Sequence, residues 1–144
     1  IIEISKKREK YIHNICKYIS KYKGTAIIID YGYNKPIKHS TVQTIYNHKN
    51  SNLLDNVGNQ DITSLVDFKS FINIAKIYNL QIDNYCSQKE FLLSFGIKQR
   101  KNKILEICSK SQKEEIELGY NRLINENEMG NFKFLIVSNT KNNA

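Results

Sequence analysis

The chain has 144 residues, 40% hydrophobic and 25% charged, with a net charge of +8 and three cysteines. That is enough for one domain with its own core, and no apolar run approaches the roughly 20 residues that a membrane-crossing helix needs. An odd cysteine count with no CxxC spacing argues against a zinc site and for free thiols at Cys16, Cys86 and Cys108. The excess charge is lopsided: residues 1–49 carry ten Lys/Arg against three Asp/Glu, and residues 50–144 carry twelve against eleven. A basic face can attract nucleic acid or an acidic protein, but scattered lysines also serve as ordinary solubilising residues.

No signal peptide is visible, and an Ile rather than a Met at position 1 is expected of a processed or truncated start. Residues 1–4 read as the end of a strand. Ser5 is a helix cap, because its hydroxyl accepts from an unpaired amide of the first turn. Ile12, Ile15, Cys16 and Ile19 then recur at helical spacing, and Gly24 closes the helix. The run from Thr25 to Asp30 is apolar and β-branched, which suits a strand buried on both faces. It ends in a carboxylate, Asp30, where sheets covered by helices bind their ligands.

Residues 31–62 form a long polar connection with a short element at 41–46. Such loops in compact domains are usually functional or disordered. Residues 61–78 read as a helix with Leu65, Phe68, Phe71, Ile72, Ala75 and Tyr78 on its apolar face and Thr63 or Ser64 as its cap. A strand follows around Leu80 and Ile82. Ser87 and Glu90 form a capping box for a short helix ended by Gly96, and Ser111 with Glu114 forms a second box after a helix over 97–108. Residues 132–137 form the last strand, and the polar tail over 139–144 is expected to fray. Helices then cover a sheet, so the fold class is α/β.

Chemistry is sparse. No GxGxxG, Walker loop, HExxH, GxSxG or paired metal-ligand spacing exists, so no cofactor or metal site can be read from these residues. Asp30 can orient a substrate donor or accept a proton; equally it can cap loop amides. Tyr31 and Tyr33 can stack on a substrate or pack the loop. His48 can be a general base, because an unperturbed imidazole changes charge near neutrality, or it can be a solvated loop residue. Asp61 and Asp67 can contact substrate or cap a helix. Arg100 reads as a solvated or ion-paired helix residue.

Several segments stand together: IEIS at 2–5, AIIIDYGY at 26–33, TVQT at 41–44, NHK at 47–49 and GNQDITSLVDF at 58–68. QKEFL at 88–92, FGIKQR at 95–100, MG at 129–130 and FKFLIV at 132–137 complete the series. Their order and spacing resemble the carboxyl-terminal half of the MidA family of S-adenosyl-L-methionine-dependent methyltransferases. The resemblance implies a Rossmann-like sheet, mostly parallel with an antiparallel last strand. Residues 25–30, 80–86 and 132–137 would then be its fifth, sixth and seventh strands, with a helical insertion before the last.

The family's mitochondrial members dimethylate an arginine on a respiratory complex I subunit and assist assembly of that complex. The resemblance therefore implies a protein substrate, and a mitochondrial location in a eukaryote or a cytoplasmic one in a bacterium. It places Asp30 and His48 as catalytic candidates and Tyr31, Gly32, Asp61 and Asp67 on the substrate side. The family's glycine-rich loop, ribose-binding acid and Asn-Glu motif all lie upstream of these segments. Residues 1–144 are thus expected to be the carboxyl-terminal part of one methyltransferase domain, with no S-adenosyl-L-methionine site of their own. Other readings are a non-catalytic interaction module, or a half that assembles with a separately encoded amino-terminal piece. A basic nucleic-acid binder is the third.

Overall fold

A computed structural model describes residues 3–139. Residues 1 and 2 of the expected first strand, and 140–144 of the tail, lie outside the described residues. Glu3 to Ser5 is non-strand chain that leads into helix α1, Lys6–Tyr22. Ser5 Oγ accepts from Arg8 N at 3.5 Å, as its position predicts. Ile12, Cys16 and Ile19 are buried, while Ile15 sits at the margin. Lys23 and Gly24 both take positive φ and turn the chain into strand β1, Thr25–Asp30.

β1 departs from expectation. Among the described residues it pairs with one neighbour only, and Ile27 and Ile29 are 53% and 49% exposed. Ala26 and Ile28 pack on the core, so only one face is covered. The strand is an edge strand among the described residues, and half of its apolar run is only partly covered.

The long connection carries regular structure. Strands β2, Gly32–Tyr33, and β6, Val66–Asp67, pair in parallel. Strands β3, Gln43–Tyr46, β4, Lys49–Asn50, and β5, Asp61–Thr63, form a small antiparallel sheet in the order β4-β3-β5. Asn47 and His48 both have positive φ at the β3–β4 turn, the geometry of a tight hairpin with matching twist. The expected helix over 61–78 is correspondingly shorter: α2 runs Phe68–Ile77. Its cap is Asp67, whose Oδ1 accepts from Ser70 N at 3.2 Å, rather than Thr63 or Ser64. Phe68, Phe71, Ile74 and Ala75 form its buried side.

Strand β7, Gln81–Ser87, has an irregularity between Ile82 and Asn84. Helix α3, Gln88–Ser94, opens with the predicted Ser87–Glu90 capping box, and Gly96 follows it in the left-handed conformation. Helices α4, Ile97–Ile107, and α5, Lys110–Ile124, complete the insertion. The box of α5 is formed by Ser109 and Gln112, two residues ahead of the expected pair. Strand β8, Lys133–Ser138, then enters antiparallel between β1 and β7. Helices α1 and α2 cover one face of this β1-β8-β7 sheet through Cys16, Ile19, Phe71 and Ala75 against Leu135 and Val137. On the other face Phe91 of α3 stacks on Phe134 at 4.3 Å.

Candidate functional site

The end of β1 is occupied by the protein's own groups. Asp30 Oδ1 accepts from Tyr31 N at 2.7 Å, which is the amide-capping alternative for this carboxylate. The Tyr31 ring lies on Phe132 with centroids 3.7 Å apart. Gly32 is required by a close backbone pass: a Cβ there would lie 2.3 Å from Val66 O and 2.6 Å from the Phe68 ring. Val66 N donates to Tyr31 O at 2.9 Å and fixes that pass. Beside Tyr31 an open hollow is bordered by Arg122, Glu128 and Met129.

A second feature is a cleft of about 350 Å³ between the segment before α1 and the start of α2, lined by Glu3, Arg8, Tyr33, Ser64 and Asp67 among others. A smaller hollow of about 280 Å³ shares Glu3, Tyr33 and Asp67 and adds Lys35 and Lys69. Glu3 Oε1 accepts from Thr41 N at 2.6 Å and from Ser40 Oγ at 3.0 Å, and Oε2 accepts from the Thr41 hydroxyl. These bonds, led by the Thr41 hydroxyl, hold the Glu3 carboxyl below its ordinary value. The Arg8 guanidinium donates to Leu65 O at 3.0 Å, Ser64 O at 3.2 Å and Ser64 Oγ at 3.0 Å. Burial raises the Tyr33 phenol, and the Asp67 and Glu3 charges raise it further. Tyr33 therefore stays protonated at neutral pH and presents a donor to the cleft.

The candidates named from sequence divide into three places. Asp30, Tyr31 and Gly32 stand at the end of β1. Asp67 lines the cleft while capping α2. His48 at the hairpin turn and Asp61 in β5, opposite Ile45, belong to the small sheet and line neither the cleft nor the hollow beside Tyr31. Glu3 and Arg8 escaped sequence reasoning. Their partners lie 38 and more than 50 residues away, and no local pattern announces such pairs.

These residues do not fit a nucleoside-sulfonium cofactor. The two tight glycine passes among the described residues are filled by the chain itself, Gly32 by Val66 and Phe68 and Gly130 by the backbone of Ile124 and Asn125. Gly24 and Gly58 have positive φ, but among the described residues a Cβ at either would meet nothing within 4 Å, so they build no cradle.

Residues 1–86 match the family described as "Putative S-adenosyl-L-methionine-dependent methyltransferase". The mitochondrial protein arginine methyltransferase NDUFAF7 of Xenopus tropicalis is 31% identical over 138 residues, covering 94% of this chain and 32% of that protein. An uncharacterized Burkholderia thailandensis protein superposes with a TM-score of 0.80 at 26% identity, over 94% of this chain and 37% of its own. A second Burkholderia thailandensis structure, crystallised with S-adenosyl-homocysteine, shares the fold with a TM-score of 0.74 at 24% identity, over 92% of this chain and 35% of its own. The chain spans about a third of the length of the curated relatives it matches. Its fold is therefore a partial Rossmann-like methyltransferase fold, and the chain belongs to this family of S-adenosyl-L-methionine-dependent methyltransferases, as the MidA resemblance implied.

Proposed function

We propose that residues 1–144 form the carboxyl-terminal part of a MidA-type protein arginine methyltransferase linked to respiratory complex I assembly. In this reading the methyl donor is held by an amino-terminal part, and this chain supplies the protein-substrate side. One observation carries the reading: among the described residues β1 ends the sheet with an unpaired edge, and its isoleucines Ile27 and Ile29 are half-exposed. An unpaired apolar edge strand is a liability that proteins normally cover. Helix α1 agrees, since Tyr11, Tyr18 and Tyr22 are 70%, 64% and 57% exposed and recur with Ile15 at helical spacing. A strand and a helix of an amino-terminal part would cover both. The same edge supports the version in which that part is a separate chain.

A guanidinium is cationic, so carboxylates should orient it and an aromatic ring can stack on it. Asp30 and Tyr31 at the end of β1 take those roles in this reading, with Gly32 holding the turn between them and the cleft. Asp67 lies on the approach. His48 and Asp61, on the small sheet, would meet the peptide flanking the arginine.

The test is methyl transfer from labelled S-adenosyl-L-methionine into extract proteins. It compares the chain alone with the chain co-expressed with the amino-terminal two-thirds of the first Burkholderia relative. Label on arginine only when both parts are present supports the reading. Transfer by the chain alone, or two parts that do not associate, overturns it.

A further inference from the structure

The outer face of α5 carries an arrangement that the proposed function leaves unexplained, although its Arg122 also borders the hollow beside Tyr31. Glu115, Leu118, Gly119 and Arg122 are all exposed, on the side of the helix away from the half-buried Ile116, Tyr120, Leu123 and Ile124. Leu118 is 69% exposed in mid-helix. Gly119 beside it is a poor helix former, and a Cβ there would meet nothing within 4 Å, so no contact among the described residues explains the glycine. Neither Glu115 nor Arg122 takes part in an ion pair among the described residues.

The four positions are self-complementary. If a second α5 is laid antiparallel on the first, with the two-fold axis between 118 and 119, Leu118 of each copy lies over Gly119 of the other. Glu115 then meets Arg122 at both ends of the contact. A missing side chain opposite a large one lets two helices approach closely, and opposite charges at the ends fix the register. A face complementary to itself about a two-fold axis is what a symmetric pair of copies requires. We propose that α5 is a self-association surface whose partner is a second copy of this chain, packed antiparallel through Leu118 and Gly119 with Glu115–Arg122 pairs on either side.

One helix per copy covers less than the roughly 800 Å² per partner of a standard interface, so the dimer is expected to be weak and salt-sensitive. Sedimentation equilibrium of the chain should give a reversible dimer. Glu115→Arg alone or Arg122→Glu alone should weaken association by about tenfold or more, and the two together should restore it. The free β1 edge offers another route to association, and the reversal pair leaves that edge untouched. Gly119→Gln should raise helix stability while weakening the dimer. A monomeric wild type, reversals without effect, a double reversal that does not restore association, or a Gly119→Gln variant that dimerises as well as the parent would each overturn the proposal.

Discussion

Glu3 grips Thr41 at both ends, its carboxylate accepting from the Thr41 amide at 2.6 Å and from the Thr41 hydroxyl. Through this contact the segment before α1 is tied to the chain leading into β3, and one wall of the cleft is closed. Leu65 N donates to the same Thr41 hydroxyl oxygen at 3.0 Å, so three separate stretches meet at one side chain.

The Glu3 carboxyl is held below its ordinary value by these bonds. A depressed folded-state value means that the contact stabilises fully above the unfolded value, about 4.3 for Glu. It is lost as pH falls through the folded value. Melting temperature followed down the acid limb should therefore fall less steeply for Glu3→Gln than for the parent. Parallel acid limbs would remove Glu3 from this role.

Gly32 has no room for a side chain, with Val66 O and the Phe68 ring inside contact distance of any Cβ. Gly32→Ala should cost about 1–3 kcal/mol through overpacking against backbone and a fully buried ring. Denaturant unfolding checks this. The contrasting control is Gly119→Ala, which meets nothing and should be neutral or stabilising.

Ser87 and Glu90 satisfy two amides at the start of α3, with Ser87 N donating to Glu90 Oε2 at 2.7 Å and Glu90 N to Ser87 Oγ at 3.2 Å. Ser87→Ala should lower stability by about 1 kcal/mol. The loss should concentrate in α3–α5, and hydrogen exchange resolved by segment would read it there. An even loss of protection across the whole chain would contradict the local role of the box.

Among the described residues Asp30 accepts only from the neighbouring Tyr31 amide, through Oδ1. In a full-length relative, Asp30→Asn should reduce methyl transfer sharply while leaving the melting temperature close to that of the parent. Unchanged turnover would discard Asp30 as a substrate-orienting group.

The sequence spoke most clearly where a signal was local and repeated. The apolar run at 25–30, the helical spacing of Ile12, Cys16 and Ile19, and the Ser87 box all lie where their patterns predict. It was misleading where a pairing partner was distant. Asp61 and Val66 read as helix because Leu65, Phe68 and Ile72 keep helical spacing. Yet β5 is claimed by β3 and β6 by β2, so the helix waits until Asp67 can cap it. At the start of α5 two S-x-x-[E/Q] patterns overlap, and Ser109 prevails over Ser111 because the helix begins at Lys110. β1 is less buried than its apolar run suggests, because an apolar strand reveals that it needs neighbours on both faces, not that it has them. In the candidate site, residue types were legible at Asp30, Tyr31 and Asp67. The Glu3–Thr41 and Arg8–Ser64 contacts were not, since they exist only once the chain has folded.

In the proposed function this portion of the sheet has no hold on the methyl donor. Isothermal titration of S-adenosyl-L-methionine into the purified 144-residue chain tests it most directly. Heats indistinguishable from dilution are predicted; saturable one-to-one binding in the micromolar range would contradict the account.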